Sequence, residues 1–165
     1  MNSFSKIVDI LLVTILLFIV PVYYSALKQD NINQTVVTTQ TSIFVDSIRD
    51  KGYIDRQMMD MFLRELSSTS AIYSVEFEHY KKIYTSSDSS SYELEYELCN
   101  DDMVKNGIYS EETGGYYMKT GDFIKVHVMS KGQTIGERIQ GVITGTSMYG
   151  SINGVYGGVL RDEAY

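Results

Sequence analysis

The sequence predicts an α+β protein: a long N-terminal membrane-anchored helix, then a small domain with one short helix and an antiparallel sheet. Three observations predict it. Residues 10–27 form an uncharged apolar run. Residues 28–50 contain no glycine or proline and space their apolar side chains as a helix does. At 92–98, apolar and acidic residues alternate without exception, the period of a strand.

At a rise of 1.5 Å per residue the apolar run reaches ~27 Å, close to the hydrocarbon thickness of a bilayer. Pro21 lies late in it, where it would kink the helix or mark its exit from the bilayer. Tyr23 and Tyr24 follow, at the place of an interfacial aromatic belt. A cleaved secretory signal has a basic front, an apolar centre of about 7–15 residues and an A-x-A-like site. Here the front has one lysine, the run is longer, and the best cleavage point, after Ala26, has the bulky Tyr24 at −3. The expected outcome is a retained single-pass anchor; a secreted domain is the alternative. Lys6 and the amino terminus lie on the short side, which sends residues 28–165 out of the cytoplasm, although Lys28 at the other end opposes this. The expected organisation is thus 1–27 cytoplasmic start and transmembrane helix, 28–51 amphipathic extension, and 52–165 extracytoplasmic domain.

The chain has 165 residues and a net charge of −7. Lys6 and Asp9 cancel, so the part beyond the membrane carries all of it. An acidic surface disfavours nucleic acid. Cys99 is the one cysteine, so no internal disulfide can form. In an exported domain this points to a Gram-positive bacterium.

In the extension, Ile32, Val36, Ile43, Phe44 and Ile48 make a thin apolar stripe, and the helix should stop at Gly52. A partly ordered threonine-rich tether is the alternative. Asp55 is placed to cap a second helix, whose apolar face is Met58, Met59, Phe62, Leu63 and Leu66. Residues 71–84 read as a strand with Tyr73, Val75, Phe77 and Ile83 on one face, and 86–91 as a hairpin loop. In the next strand Tyr92, Leu94, Tyr96 and Leu98 are expected to be buried, and Glu93, Glu95 and Glu97 to face water. A short helix around Met103 is possible. Residues 116–119 and 123–129 flank Thr120-Gly121-Asp122 and read as paired strands, with Ile124, Val126 and Val128 inward. Residues 132–154 hold six glycines and resist assignment, and 155–160 read as a closing strand.

The residues that carry chemistry are few. His79 and His127 lack a partner at metal-ligand spacing and read as surface histidines on a sheet. Cys99 has no basic neighbour in sequence and reads as a buried or half-buried thiol. The row of Glu93, Glu95 and Glu97 lacks the convergent loop that calcium needs, and Asn100, Asp101 and Asp102 make a similarly weak case. No glycine-rich phosphate loop is present. Asn33-Gln34-Thr35 matches a glycosylation acceptor but lies close to the membrane. The reading is non-enzymatic, with no catalytic, cofactor-binding or metal residues and no small-molecule substrate. Asp9 has two readings. It either sits solvated at the headgroup level beside Lys6, or pairs with a cation on a neighbouring helix.

An apolar helix with an acidic residue near its start, a Thr/Gln-rich amphipathic continuation and a small α/β head resembles a type IV pilin-like subunit. Residues 44–54 (Phe-Val-Asp-Ser-Ile-Arg-Asp-Lys-Gly-Tyr-Ile), then Phe62-Leu63, Leu66 and Tyr73-Ser74-Val75-Glu76, narrow the likeness. So does 121–128, Gly-Asp-Phe-Ile-Lys-Val-His-Val, a Gly-Asp start to an alternating strand. The chain resembles the TadE/TadF-type minor pilins of tight-adherence systems in Firmicutes, from Ile7 to about Val128. The resemblance implies a subunit or accessory component of a surface pilus or secretion-type filament, whose partners are the membrane and other pilin-like subunits or assembly proteins. The chain has no glycine before Gly52 and offers Asp9 where the pilin pattern has glutamate, so it is expected to remain unprocessed. Asp9, Ile32, Val36, Ile43 and Phe44 are the expected assembly residues. A single-pass binding or sensor module outside any pilus is the alternative.

Overall fold

The computed structural model describes residues 3–69, 71–88, 91–146 and 152–161. Helix α1 (Ser3–Lys51) is continuous from the apolar run to the head, which settles the choice between helix and tether. Its window of highest hydropathy is wholly unburied, and it is long and apolar enough to cross a membrane. Pro21 lies inside it. Gly52 ends it with φ 75°, a left-handed conformation that costs glycine little.

After β1 (Tyr53–Ile54), Asp55 caps α2 (Arg56–Ser67) by accepting the Met58 amide at 2.7 Å. Met58, Met59, Phe62 and Leu66 point inward, while Leu63 stands at the exposed edge of that face. Strand β2 (Tyr73–Asp88) turns into β3 (Ser91–Cys99). The expected loop at 86–91 is therefore shorter, with Asp88 paired to Ser91 and residues 89 and 90 outside those described. Helix α3 (Asp101–Ile108) contains Met103, and β4 (Tyr116–Tyr117), β5 (Phe123–Ser130), α4 (Ile135–Thr144) and β6 (Asn153–Val159) complete the order. Among the described residues the head thus holds three helices: α2, the short helix around Met103 and the unanticipated α4. Gly107 inside α3, and Gly136 and Gly141 inside α4, weaken the helical signal of those segments.

The main sheet has the order β3-β2-β5-β6, antiparallel throughout. Strand β4 does not pair with β5, contrary to expectation; it joins β1 in a separate two-stranded ribbon. Both edges of β5 are already taken, by β2 and β6, so no ladder remains for β4.

The core forms where α1, α2 and α3 pack over one face of this sheet. Val37, Thr41, Phe44, Val45 and Ile48 are buried, at spacings of four, three, one and three, a helical stripe. They meet Phe77, Ile124, Val126 and Val128. Phe44 stacks on Phe62 with centroids 4.1 Å apart and planes 1° from parallel. The glycines of β6 explain part of the segment that resisted assignment: they let α1 lie close to the sheet. A Cβ on Gly154 would stand 2.9 Å from the Thr41 hydroxyl and 3.0 Å from a Val37 methyl. Helix side chains also occupy the polar groups of this edge strand. Gln34 bonds both the amide and the carbonyl of Asn153, and the Arg49 Nε donates to the Val159 carbonyl at 3.0 Å. The edge is thereby closed to a further strand at both ends.

Strand β2 outruns its partner. It pairs with β5 over Tyr73–Tyr80 and with β3 over His79–Asp88. The second half of β2 and most of β3 therefore form a two-stranded arm projecting from the sheet. Leu94, Tyr96 and Leu98 are 51%, 49% and 50% exposed, and their glutamate neighbours are exposed too. The expected burial of this face is wrong. The strand exists, but none of the described helices covers this face. The Tyr92 side chain lies outside those described.

Candidate functional site

One polar cluster lies inside the head, at the root of the arm. The turn before β5 delivers Asp122, which is 1% exposed. Its carboxylate accepts the Lys119 amide at 2.8 Å, the Lys82 amide at 2.8 Å and His79 Nε2 at 3.1 Å. His79 is itself 3% exposed, which corrects its reading as a surface histidine. Because Nε2 donates to Asp122, Nδ1 is left to accept the Tyr116 hydroxyl at 2.7 Å. Burial lowers the His79 pKa from its ordinary 6.5, against the upward pull of Asp122, so the ring is held neutral. Burial raises the Tyr116 phenol well above its usual range, and the Cys99 thiol beside it adds to the rise. Cys99 is buried, as expected.

Cysteine, histidine and aspartate stand together here, but in an order that suits support. Tyr116 stands between Cys99 and His79; Cys99, His79 and Asp122 are buried and Tyr116 is partly buried. Asp122 ties β2, the turn after β4 and β5 together; that is a fastening role. The sequence signal for it was Gly121-Asp122 ahead of the strand, with Gly121 at φ 91°. Three or more His, Cys, Asp or Glu side chains placed to hold a metal ion do not occur among the described residues. His127 stands on the opposite sheet face, partly buried, with Nε2 3.2 Å from Glu78. Glu93, Glu95 and Glu97 are exposed.

The surfaces able to meet a partner lie elsewhere. Ile32 is 48% and Ile43 53% exposed on α1, whereas Val36 is half-buried. Phe44 is 6% exposed and packs in the core, and it also lines the groove beside Ile43. The expected stripe is thus divided between two faces. Thr41, its hydroxyl bonded to the Val37 carbonyl at 2.7 Å, occupies the buried face where an apolar residue would have revealed it. Ile43 lines an open groove of about 310 Å³ with Met61 and Phe62 of α2. Asp9 is exposed on the bare half of α1, with no ion pair among the described residues, Lys6 included. Where α1 leaves the apolar run, a second groove of about 620 Å³ opens between it and the head, lined by Asp30, Asn33, Lys131 and Arg138 among others.

The fold and these surfaces define a class: a single apolar helix able to span a membrane, carrying a small α+β head built around its own outer half. No family model matches the chain, and neither curated proteins nor solved structures give a match.

Proposed function

We propose that the chain is a non-enzymatic, membrane-anchored pilin-like subunit, or an accessory component, of a surface pilus or secretion-type filament, with its head outside the cytoplasm. One observation carries the reading: a single unbroken helix is bare over its apolar half and sheathed by the sheet over its polar half. Such a helix can exchange lipid for like helices on one half without disturbing the head on the other. Within lipid there is no hydrophobic drive for this exchange, so packing and polar contacts must supply it. Asp9 is the polar contact at hand, and a cation of a neighbouring subunit is its partner. Outside the bilayer, Ile32 and the Ile43 groove, together with the exposed face of the arm, are the surfaces to be covered.

The test is recovery of complexes from the native membrane. Asp9→Ala should leave insertion intact and reduce co-purification with other single-span subunits, while Asp9→Glu preserves it. A photo-crosslinker at Leu12 should join the chain to another apolar helix. If the chain is recovered alone and the crosslinker reacts with lipid only, the pilus reading fails. The orientation has its own check: protease added to intact protoplasts should remove the head. The second reading, a lone extracytoplasmic binding module, draws on the groove beside Asp30, Lys131 and Arg138. It gains if a charged small molecule raises the head's melting temperature while no partner co-purifies.

A further inference from the structure

Helix α4 begins beside Asp30 and Leu27 of α1. The Thr134 hydroxyl donates to the Asp30 carboxylate at 2.7 Å, and a Cβ on Gly136 would meet both Asp30 and Leu27. A capping box formed by Thr134 and Glu137 fixes this start. From there α4 runs back toward the amino-terminal end of α1. An apolar cleft of about 450 Å³ separates the two helices, with Phe18, Ile19 and Val22 on one wall and Ile139, Val142 and Ile143 on the other. The last half of α4 therefore stands beside the apolar run, beyond Tyr23 and Tyr24. Val142 is 88% and Ile143 63% exposed. Arg138 is the last charge before the tip, since residues 139–146 have none.

We propose that α4 is a second membrane-contacting element, its apolar tip inserted into lipid beside the anchor. This rests on α1 crossing the membrane, and holds for either orientation. The occupant of the exposed face is acyl chain, because that face continues the bare apolar surface of α1. Phe18 lies five residues inward of Tyr23, roughly 8 Å along a helix, a depth typical of an interfacial amphipathic helix. Arg138 stands at the rim, where its stem can lie along apolar surface and its guanidinium can reach headgroup phosphate. The head is then held against the bilayer by two contacts instead of swinging on one.

The protein has no tryptophan, so single Trp variants report position cleanly. Val142→Trp, in the full chain reconstituted into phosphatidylcholine vesicles, should emit at shorter wavelength than Tyr117→Trp at the far end of the head. Its emission should fall several-fold when the acyl chains are brominated, and iodide should affect it several-fold less than it affects Tyr117→Trp. Ile143→Trp should behave alike and serves if the first variant misfolds. If Val142→Trp is quenched by iodide like Tyr117→Trp, the inference is overturned. It is also overturned if neither bromolipid nor iodide reaches Val142→Trp, because protein then covers the site. Leu16→Trp, within the anchor, separates the two levels. Its quenching by bromolipid keeps the anchor reading when α4 fails, and its failure to be quenched overturns both.

Discussion

The two halves of β2 carry similar alternation and have different fates. Over Tyr73–Tyr80 the strand pairs with β5, Asp101 and Lys105 of α3 bond the Phe77 amide and the Val75 carbonyl, and Val75, Phe77 and His79 are sealed beneath the helices. Over the following residues it has β3 alone as partner, and Tyr84 with Leu94, Tyr96 and Leu98 stands in water. Alternation specifies a pleated strand with two unlike faces. Whether the apolar face is buried depends on a second layer: the helices pack on the face of Val75, Phe77 and His79, while the pairs Tyr80–Leu98, Lys82–Tyr96 and Tyr84–Leu94 put the apolar side chains of β3 on the other face of the sheet.

The strongest test of this difference is Phe77→Ala, which should cost about 3–5 kcal/mol, since Phe77 is 1% exposed and a cavity would remain. Urea unfolding of the full chain in detergent measures it. Next comes Asp122→Ala at the junction of the two halves. It strips the partner from His79 and from the Lys82 and Lys119 amides, so a loss of about 3 kcal/mol is expected at 1–3 kcal/mol per orphaned buried group. An effect below 1 kcal/mol would mean that water replaces the carboxylate. Gly154→Val, which forces α1 away from the sheet, should cost about 1–3 kcal/mol.

Acid should act on the covered half through His79. Its folded pKa is lowered, so below an unfolded value of about 6.5 the unfolded chain binds the proton more readily. Stability is full above that pH and declines as pH falls toward the folded pKa. His79→Gln should flatten this part of the profile. Glu78, whose pKa is lowered from 4.5 chiefly by the Tyr80 hydroxyl, acts in a more acidic window, its contribution declining as pH falls below that value. Smallest of all, Tyr96→Asp on the arm should change stability by less than about 0.5 kcal/mol. A cost comparable to that of Phe77→Ala would show that the arm is covered after all, as it would be inside an assembly.

Much of the architecture was legible because its signals are local. The apolar run, the left-handed stop at Gly52 and the Asp55 cap each act over a few residues. The arm's strand and the Ile124/Val126/Val128 face likewise follow from a period of two. Helix α4 escaped because glycines dilute its pattern, although Thr134 and Glu137 carried a capping-box signal. The site was less legible. His79 looked like a surface residue because its partners, Asp122 and Tyr116, lie 43 and 37 positions away.

By itself, then, the sequence determined conformation: where the chain is helical, where it is extended, and which run water excludes. Backbone propensity, caps and hydrophobic period are properties of neighbouring residues. The tertiary structure decided burial. It put Val37, Thr41 and Val45 inside and left Ile32 and Ile43 out, sealed His79 but exposed Tyr96, and brought the tip of α4 beside Phe18. Burial is a relation between distant segments, and a repeating pattern along one segment states what that segment can bury without stating what will cover it.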